Sequence, residues 1–170
     1  MKALVVYFSR VGENIVREER EIIEKGFTEI VAEKIAQEVG ATLLALQPKE
    51  AYSTNYDECN KRAQLEDEEN ILPEVVNLPA SIDEYDVIFL GFPLWYRSYP
   101  RVIATFLAKY SFIGKVVKPF CTNEEGQMGL SELELKGALK GALIKSGLAI
   151  KGHDAASSEA EAIIKNWVKQ

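Results

Sequence analysis

The sequence is poor in the residues that build covalent or metal frameworks. Its 170 residues include two cysteines, Cys59 and Cys121, and one histidine, His153. No Cys-x-x-Cys pair occurs, so a disulfide scaffold and a zinc-type ligand set are both excluded. Two isolated thiols suit a reducing compartment, and the expected location is cytoplasmic. No apolar run approaches the roughly 20 residues that a membrane span needs. The N-terminus runs straight into an apolar segment and lacks the layout of a signal peptide. Positive charge is in deficit: 20 Lys and Arg stand against 26 Asp and Glu, for a net charge of −6. Nucleic acid and anionic membrane surfaces are therefore not expected partners, because both require a basic face. A P-loop is absent too, since no Gly-Lys-Ser/Thr occurs.

What is present is an ordinary globular balance, with 47% hydrophobic and 27% charged residues. The length suits one domain over residues 1–170. The first stretch, Lys2-Ala-Leu-Val-Val-Tyr-Phe-Ser-Arg10, reads as a strand buried on both faces. Residues 11–25 form a charged insertion with no single face, either a long loop or a short two-stranded flap. Phe27, Ile30, Val31, Ile35 and Val39 give one helical stripe, with Thr28 as a plausible N-cap and Gly40 at the C-cap. Ala41 to Leu46 is a second strand, and a polar surface helix is expected from about Tyr56. Asp86 to Phe92 is a third strand, followed by a helix after Pro100 with Ile103, Phe106, Leu107 and Tyr110 on its inner face. Val116 to Cys121 is a fourth strand. A helix from Ser131 to Ser146, with Gly137 and Gly141 allowing close packing, leads to a fifth strand at Leu148 to Ile150. Ser158 and Glu161 have the spacing of a capping box before the last helix. Five strand–helix alternations predict an α/β fold, a parallel sheet with helices on both faces.

In such sheets, ligands bind beyond the carboxyl ends of the strands, where strand order reverses. Three loops would meet there. The first carries Ser9, Arg10 and Thr28, whose hydroxyls could join the free amides of a helix N-terminus in an anion site. They could equally do no more than end a strand and cap a helix. The second, Pro93-Leu-Trp-Tyr96, places two large aromatics in a loop, where a flat ligand, a protein interface or loop packing would cover them. The third, Thr122-Asn-Glu-Glu-Gly126, offers amides and acceptors that suit the polar edge of a ring. Its glycine allows close backbone approach.

Leu4 to Arg10, Thr28 with Val31-Ala-Glu-Lys-Ile-Ala36, Phe89-Leu-Gly-Phe-Pro-Leu-Trp-Tyr96 and Pro119-Phe-Cys-Thr122 together resemble the flavodoxin-like FMN-binding proteins, over nearly the whole chain. The resemblance implies a three-layer fold with a five-stranded parallel sheet in the order 2-1-3-4-5. It implies FMN as the cofactor. Ser9, Arg10, Phe27 and Thr28, joined by Asn14, would surround its phosphate. Trp95 or Tyr96 would stack on the ring, with Pro93 and Leu94 near its reactive centre. Thr122, Asn123, Glu124 and Gly126 would hold the ribityl chain and pyrimidine edge. The chain departs from the family's pattern at the phosphate loop. Residues 11–25 interrupt it, and Phe27 replaces an Asn. The arginines Arg10 and Arg97 also matter, since a cation near a flavin raises its potential.

The implied function is a flavodoxin-type redox protein that passes electrons through a non-covalently bound flavin to a redox partner protein. The alternative is an FMN-dependent oxidoreductase that takes hydride from NAD(P)H and reduces a quinone-like acceptor. Fold does not decide between them. A remote alternative is a hydrolase with Ser9 as nucleophile and His153 as base, although the adjacent Asp154 is badly placed to orient that His. A receiver domain is excluded, because Ser9 and Phe92-Pro93 stand where its acids belong. No catalytic residue and no metal ligand is assigned.

Overall fold

A computed structural model describes all 170 residues. The first strand, β1 (Ala3–Tyr7), alternates strictly. Leu4, Val6 and Phe8 enter one hydrophobic core, while Val5 and Tyr7 enter another. Neither face of β1 meets water, which is why its sequence is an uninterrupted apolar run rather than an alternating one. It lies between β4 (Thr42–Ala45) and β5 (Val87–Pro93), with Val5 opposite both Leu43 and Phe89. β6 (Val116–Asn123) pairs with β5 on the far side. All of these pairings are parallel.

The expected order holds, with one refinement at the far edge. That position is shared by two short strands. β7 (Leu143–Ile144) pairs with Val116 and Val117, and β8 (Leu148–Lys151) pairs with residues 120–123. The helix expected over 131–146 stops early: α4 spans Ser131–Ala138. Leu139 caps it, Gly141 then takes a positive φ of +88° on the way to β7, and nothing lies close enough to Gly137 for it to serve as a packing contact. The first core packs α2 (Tyr56–Glu68), α3 (Arg101–Lys109) and α4 onto one face of the sheet. The second packs α1 (Phe27–Val39) and α5 (Ser158–Trp167) onto the other. No helix is long and apolar enough to cross a membrane.

Two caps differ from the sequence reading. Gly26, not Thr28, is the N-cap of α1. Ser157, not Ser158, caps α5 by accepting from the Ala160 amide, so no capping box forms. Gly40 does end α1, in the left-handed conformation.

Of the two possibilities for residues 11–25, the flap is the one found. β2 (Gly12–Val16) and β3 (Glu19–Ile23) form an antiparallel hairpin separate from the main sheet. Its two turn residues, Arg17 and Glu18, have φ of 49° and 71°. Positive φ at both positions defines the type I′ turn, the one whose twist matches a two-residue hairpin.

Candidate functional site

The carboxyl ends of β1, β5 and β6, the β2–β3 hairpin and one face of α2 enclose a cavity of about 450 Å³. It lies where strand order reverses about β1, the place where open α/β sheets bind ligands.

Its first wall is the start of α1. Gly26 has extended geometry and gives the helix no side-chain cap. The Ser9 hydroxyl substitutes in part, accepting from the Glu29 amide at 3.2 Å. The amides of Phe27 and Thr28 find no acceptor in the chain. A helix start with free N–H groups carries partial positive charge and attracts anions. Only glycine fits at position 26, because a Cβ there would lie 2.0 Å from Ser9 Oγ. Thr28 is buried, and its hydroxyl meets that of Thr122, at the end of β6, at 2.7 Å. One hydroxyl of the pair donates to the other, so the second proton remains free to donate elsewhere.

Arg10 follows Ser9 in sequence but turns to the opposite side. Its Nε donates to the Ser53 carbonyl at 2.9 Å and its Nη1 to the Glu13 carbonyl at 2.6 Å. Its Nη2 is buried without a partner. Arg10 therefore sits on the α2 side of the cavity, away from the start of α1. Asn14, in the hairpin, lines the cavity and makes one long bond, from Nδ2 to the Gly12 carbonyl at 3.4 Å.

The aromatic loop is a second tight turn. Trp95 and Ser98 exchange backbone hydrogen bonds of 2.9 and 3.0 Å, and the residues between them, Tyr96 and Arg97, have φ of 48° and 68°. The two aromatics then diverge. Trp95 packs edge-on against Phe8 and Tyr52, with ring centroids 5.5 and 5.1 Å away. Tyr96 is exposed, and its hydroxyl donates to Asn60 Oδ1 at 2.7 Å, which ties the loop to α2. Pro93 and Leu94 continue the ladder beside β6, with the Leu94 amide donating to the Thr122 carbonyl at 3.0 Å.

The third loop holds itself together. Asn123 donates to the Gln127 carbonyl at 2.7 Å and accepts from the Gln127 amide at 3.2 Å. Glu124 accepts from the Arg17 amide at 2.9 Å and pairs with His153 Nδ1 at 2.7 Å, while its Oε1 is buried without a partner. Burial opposes ionisation of Glu124, but the Arg17 amide and His153 outweigh it and hold the carboxyl below its ordinary range. Gly152 makes room for this group, since a Cβ there would strike the Phe27 ring and Glu124 Oε1.

Twelve of the thirteen residues expected at the site line one cavity: Ser9, Arg10, Asn14, Phe27, Thr28, Pro93, Leu94, Trp95, Tyr96, Thr122, Asn123 and Glu124. Gly126, at φ +69°, lies outside the lining and packs toward Lys151. Ser9 and His153 bond to different partners, so no Ser–His pair forms. Arg97 and Glu125, named from the sequence as a cation near the ring and as part of the third loop, also line the cavity, and the lining that sequence reading missed includes Ile15 and Ile23 of the hairpin. It also includes Tyr56, Cys59, Asn60 and Ala63 of α2. Those four α2 positions are spaced i, i+3, i+4, i+7, a single helix face, and that spacing was the available signal. Burial above all pushes the Cys59 thiol up, against the pull of Arg10 and Arg62, and keeps it protonated.

A doubly wound α/β sheet with a cavity at its switch point, walled by a helix start and an aromatic turn, defines the flavodoxin-like class of α/β fold. Residues 21–170 match the model of the Flavodoxin family, and the chain belongs to that family. A sequence search of the curated proteins finds no match. Among solved structures, a candidate flavoprotein from Bacteroides uniformis is 29% identical. The match covers 99% of this chain and 98% of that one, with a TM-score of 0.78. A candidate flavoprotein from Bacteroides eggerthii is 28% identical over 99% and 96% of the two chains, with the same TM-score of 0.78. A Lactobacillus acidophilus flavoprotein solved in complex with FMN is 21% identical over 93% and 97%, with a TM-score of 0.64, and shares the fold.

Proposed function

We propose that the cavity holds FMN and that the chain is a flavodoxin-type redox protein acting in the cytoplasm. The observation that carries this reading is the uncapped start of α1. Two free amides, the Ser9 hydroxyl and the Thr28–Thr122 pair converge there on the wall of the cavity, and Gly26 leaves room for Ser9 beside them. That donor set suits a phosphate. The FMN complex of the Lactobacillus acidophilus neighbour supports the same cofactor.

Ser9, Phe27, Thr28 and Thr122 would hold the phosphate. Trp95 and Tyr96, with Pro93 and Leu94, would flank the ring. Asn123, Glu124 and Gly126 would stand toward the ribityl chain and pyrimidine edge. Arg10 and Asn14, on the α2 side, would lie nearer the ring than the phosphate. A bound flavin supplies the capacity to take up and release electrons, which no side chain here provides. The protein's part is to orient it, exclude water from the cavity and set its electrostatics through Arg10 and Arg97.

The hairpin and the α2 face wall the cavity beyond the three expected loops, which favours a second reading, an NAD(P)H-dependent reductase of a quinone-like acceptor. One experiment addresses both. Purified protein is titrated with FMN, its spectrum is recorded, and NAD(P)H is added in air. Quenched flavin fluorescence without NAD(P)H oxidation is the result expected of a carrier. Rapid oxidation would favour the reductase, and unchanged FMN fluorescence would exclude both.

A further inference from the structure

We propose that the β2–β3 hairpin is a hinged strap over the cavity, closed by a single latch at Glu124. The proposal rests on the cavity being the ligand site, and it assigns the hairpin the role of gate.

The hairpin is fastened very unequally to the two walls it spans. On the α2 side it is held many times over, by Glu13 near its base and by Arg20 one pair short of the turn. The Glu13 amide donates to the Thr54 carbonyl at 2.8 Å, and the Glu13 carbonyl accepts from Arg10. The Glu13 carboxylate takes the Asn55 side chain at 3.1 Å and the Tyr56 amide at 2.9 Å. Arg20 grips Asp57 with both guanidinium nitrogens, at 2.8 and 2.6 Å. All of these anchors lie on residues 54–57, at the entry to α2, or on Arg10. From there the hairpin reaches past the cavity, contributing Asn14, Ile15 and Ile23 to its wall, to the end of β6. At that far end one hydrogen bond holds it, from the Arg17 amide to Glu124. His153 steadies the acceptor from behind.

Lifting the tip would return Glu124 to water and open the mouth beside Arg10, both of which line the cavity, and the strands of the strap stay paired to each other while it swings.

The test places spin labels at Glu18→Cys and Lys109→Cys, one on the hairpin tip and one on α3, in a Cys59→Ala background because Cys59 lines the cavity; Cys121 is buried away from it. Distances are measured in the full chain, without and with FMN. Two populations are expected without ligand. Glu124→Ala should enrich the longer distance about tenfold, the effect of losing one hydrogen bond to a charged acceptor. Glu124→Gln, which keeps an acceptor, should restore most of the short distance. His153→Ala, a milder change outside the cavity lining, should shift the populations the same way as Glu124→Ala but less. A single short distance, the same in the wild type and in Glu124→Ala and His153→Ala, would overturn the strap. Failure of FMN to bind would count against the cofactor reading alone, because the ligand-free distances judge the strap independently.

Discussion

Trp95 and Tyr96 are neighbours in sequence, and the fold assigns them different work. Trp95 is the third ring of a cluster with Phe8 and Tyr52, so removing it opens a hole beside the first core. Trp95→Ala is expected to lower unfolding free energy by about 3 kcal/mol, as large-to-small core changes do. Tyr96 is exposed and held by its hydroxyl bond to α2. Tyr96→Ala should leave stability nearly unchanged and weaken FMN binding by roughly 1 to 3 kcal/mol, by analogy with aromatic stacking of bases. Urea denaturation and a flavin fluorescence titration on both variants separate the two roles. Equal stability losses would refute the division. The sequence showed that both aromatics belong to the loop after β5. It could not show which one turns inward, because the partners of Trp95 come from the end of β1 and the segment before α2. The same holds for Ser9 and Arg10, adjacent residues that part to opposite sides of the sheet only once α1 and α2 are in place.

At the scale of elements, the long apolar runs of β1, β5 and β6 and the stripes of α1 and α3 were legible because burial on a sheet or helix face imposes a period. The hairpin was left as one of two possibilities for a physical reason. Type I′ turns normally announce themselves with Asn-Gly or Asp-Gly, since both central residues need positive φ. Here Arg17 and Glu18 occupy those positions, and Tyr96 and Arg97 do the same in the aromatic loop. The second of these turns lines the cavity, where backbone strain tends to concentrate. α4 was overextended because its continuation, Gly141 to Ile144, has no pattern of its own and becomes a strand only by pairing with β6. Glu18 offers a direct measure of the strain. A non-glycine residue in the left-handed region is disfavoured by roughly 1 to 2 kcal/mol. After the entropy that glycine loses on folding, Glu18→Gly should stabilise the protein by about 0.5 to 1 kcal/mol. Thermal unfolding checks it; a lower midpoint would mean that the turn is not strained at Glu18.

The whole molecule is acidic, yet three of its carboxylates, Glu13, Asp57 and Glu124, hold the hairpin rather than repel a neighbour. Hydrogen bonding to Arg20 keeps Asp57 below its ordinary range, and Glu124 stays low against the effect of its own burial through the Arg17 amide and His153. The sign follows from the depressed folded-state values. Each group contributes its stabilisation in full above the ordinary carboxylate range and loses it as pH falls through the lower folded value. Acid therefore removes one fastening on the α2 side and the latch on the β6 side of the same element. The main sheet is held differently. Its two cores are apolar, and the buried ammonium groups of Lys115 and Lys118 rest on backbone carbonyls rather than on carboxylates. As pH falls below the ordinary carboxylate range, the hairpin should come free before the sheet unfolds. Amide hydrogen exchange across that range provides the measurement. The Glu13 and Arg17 amides should lose protection at a higher pH than those of β1 and β5. Simultaneous loss in both sets would show that the hairpin is bound into the cooperative unit of the sheet, and the acid-labile anchors would then have no separate role.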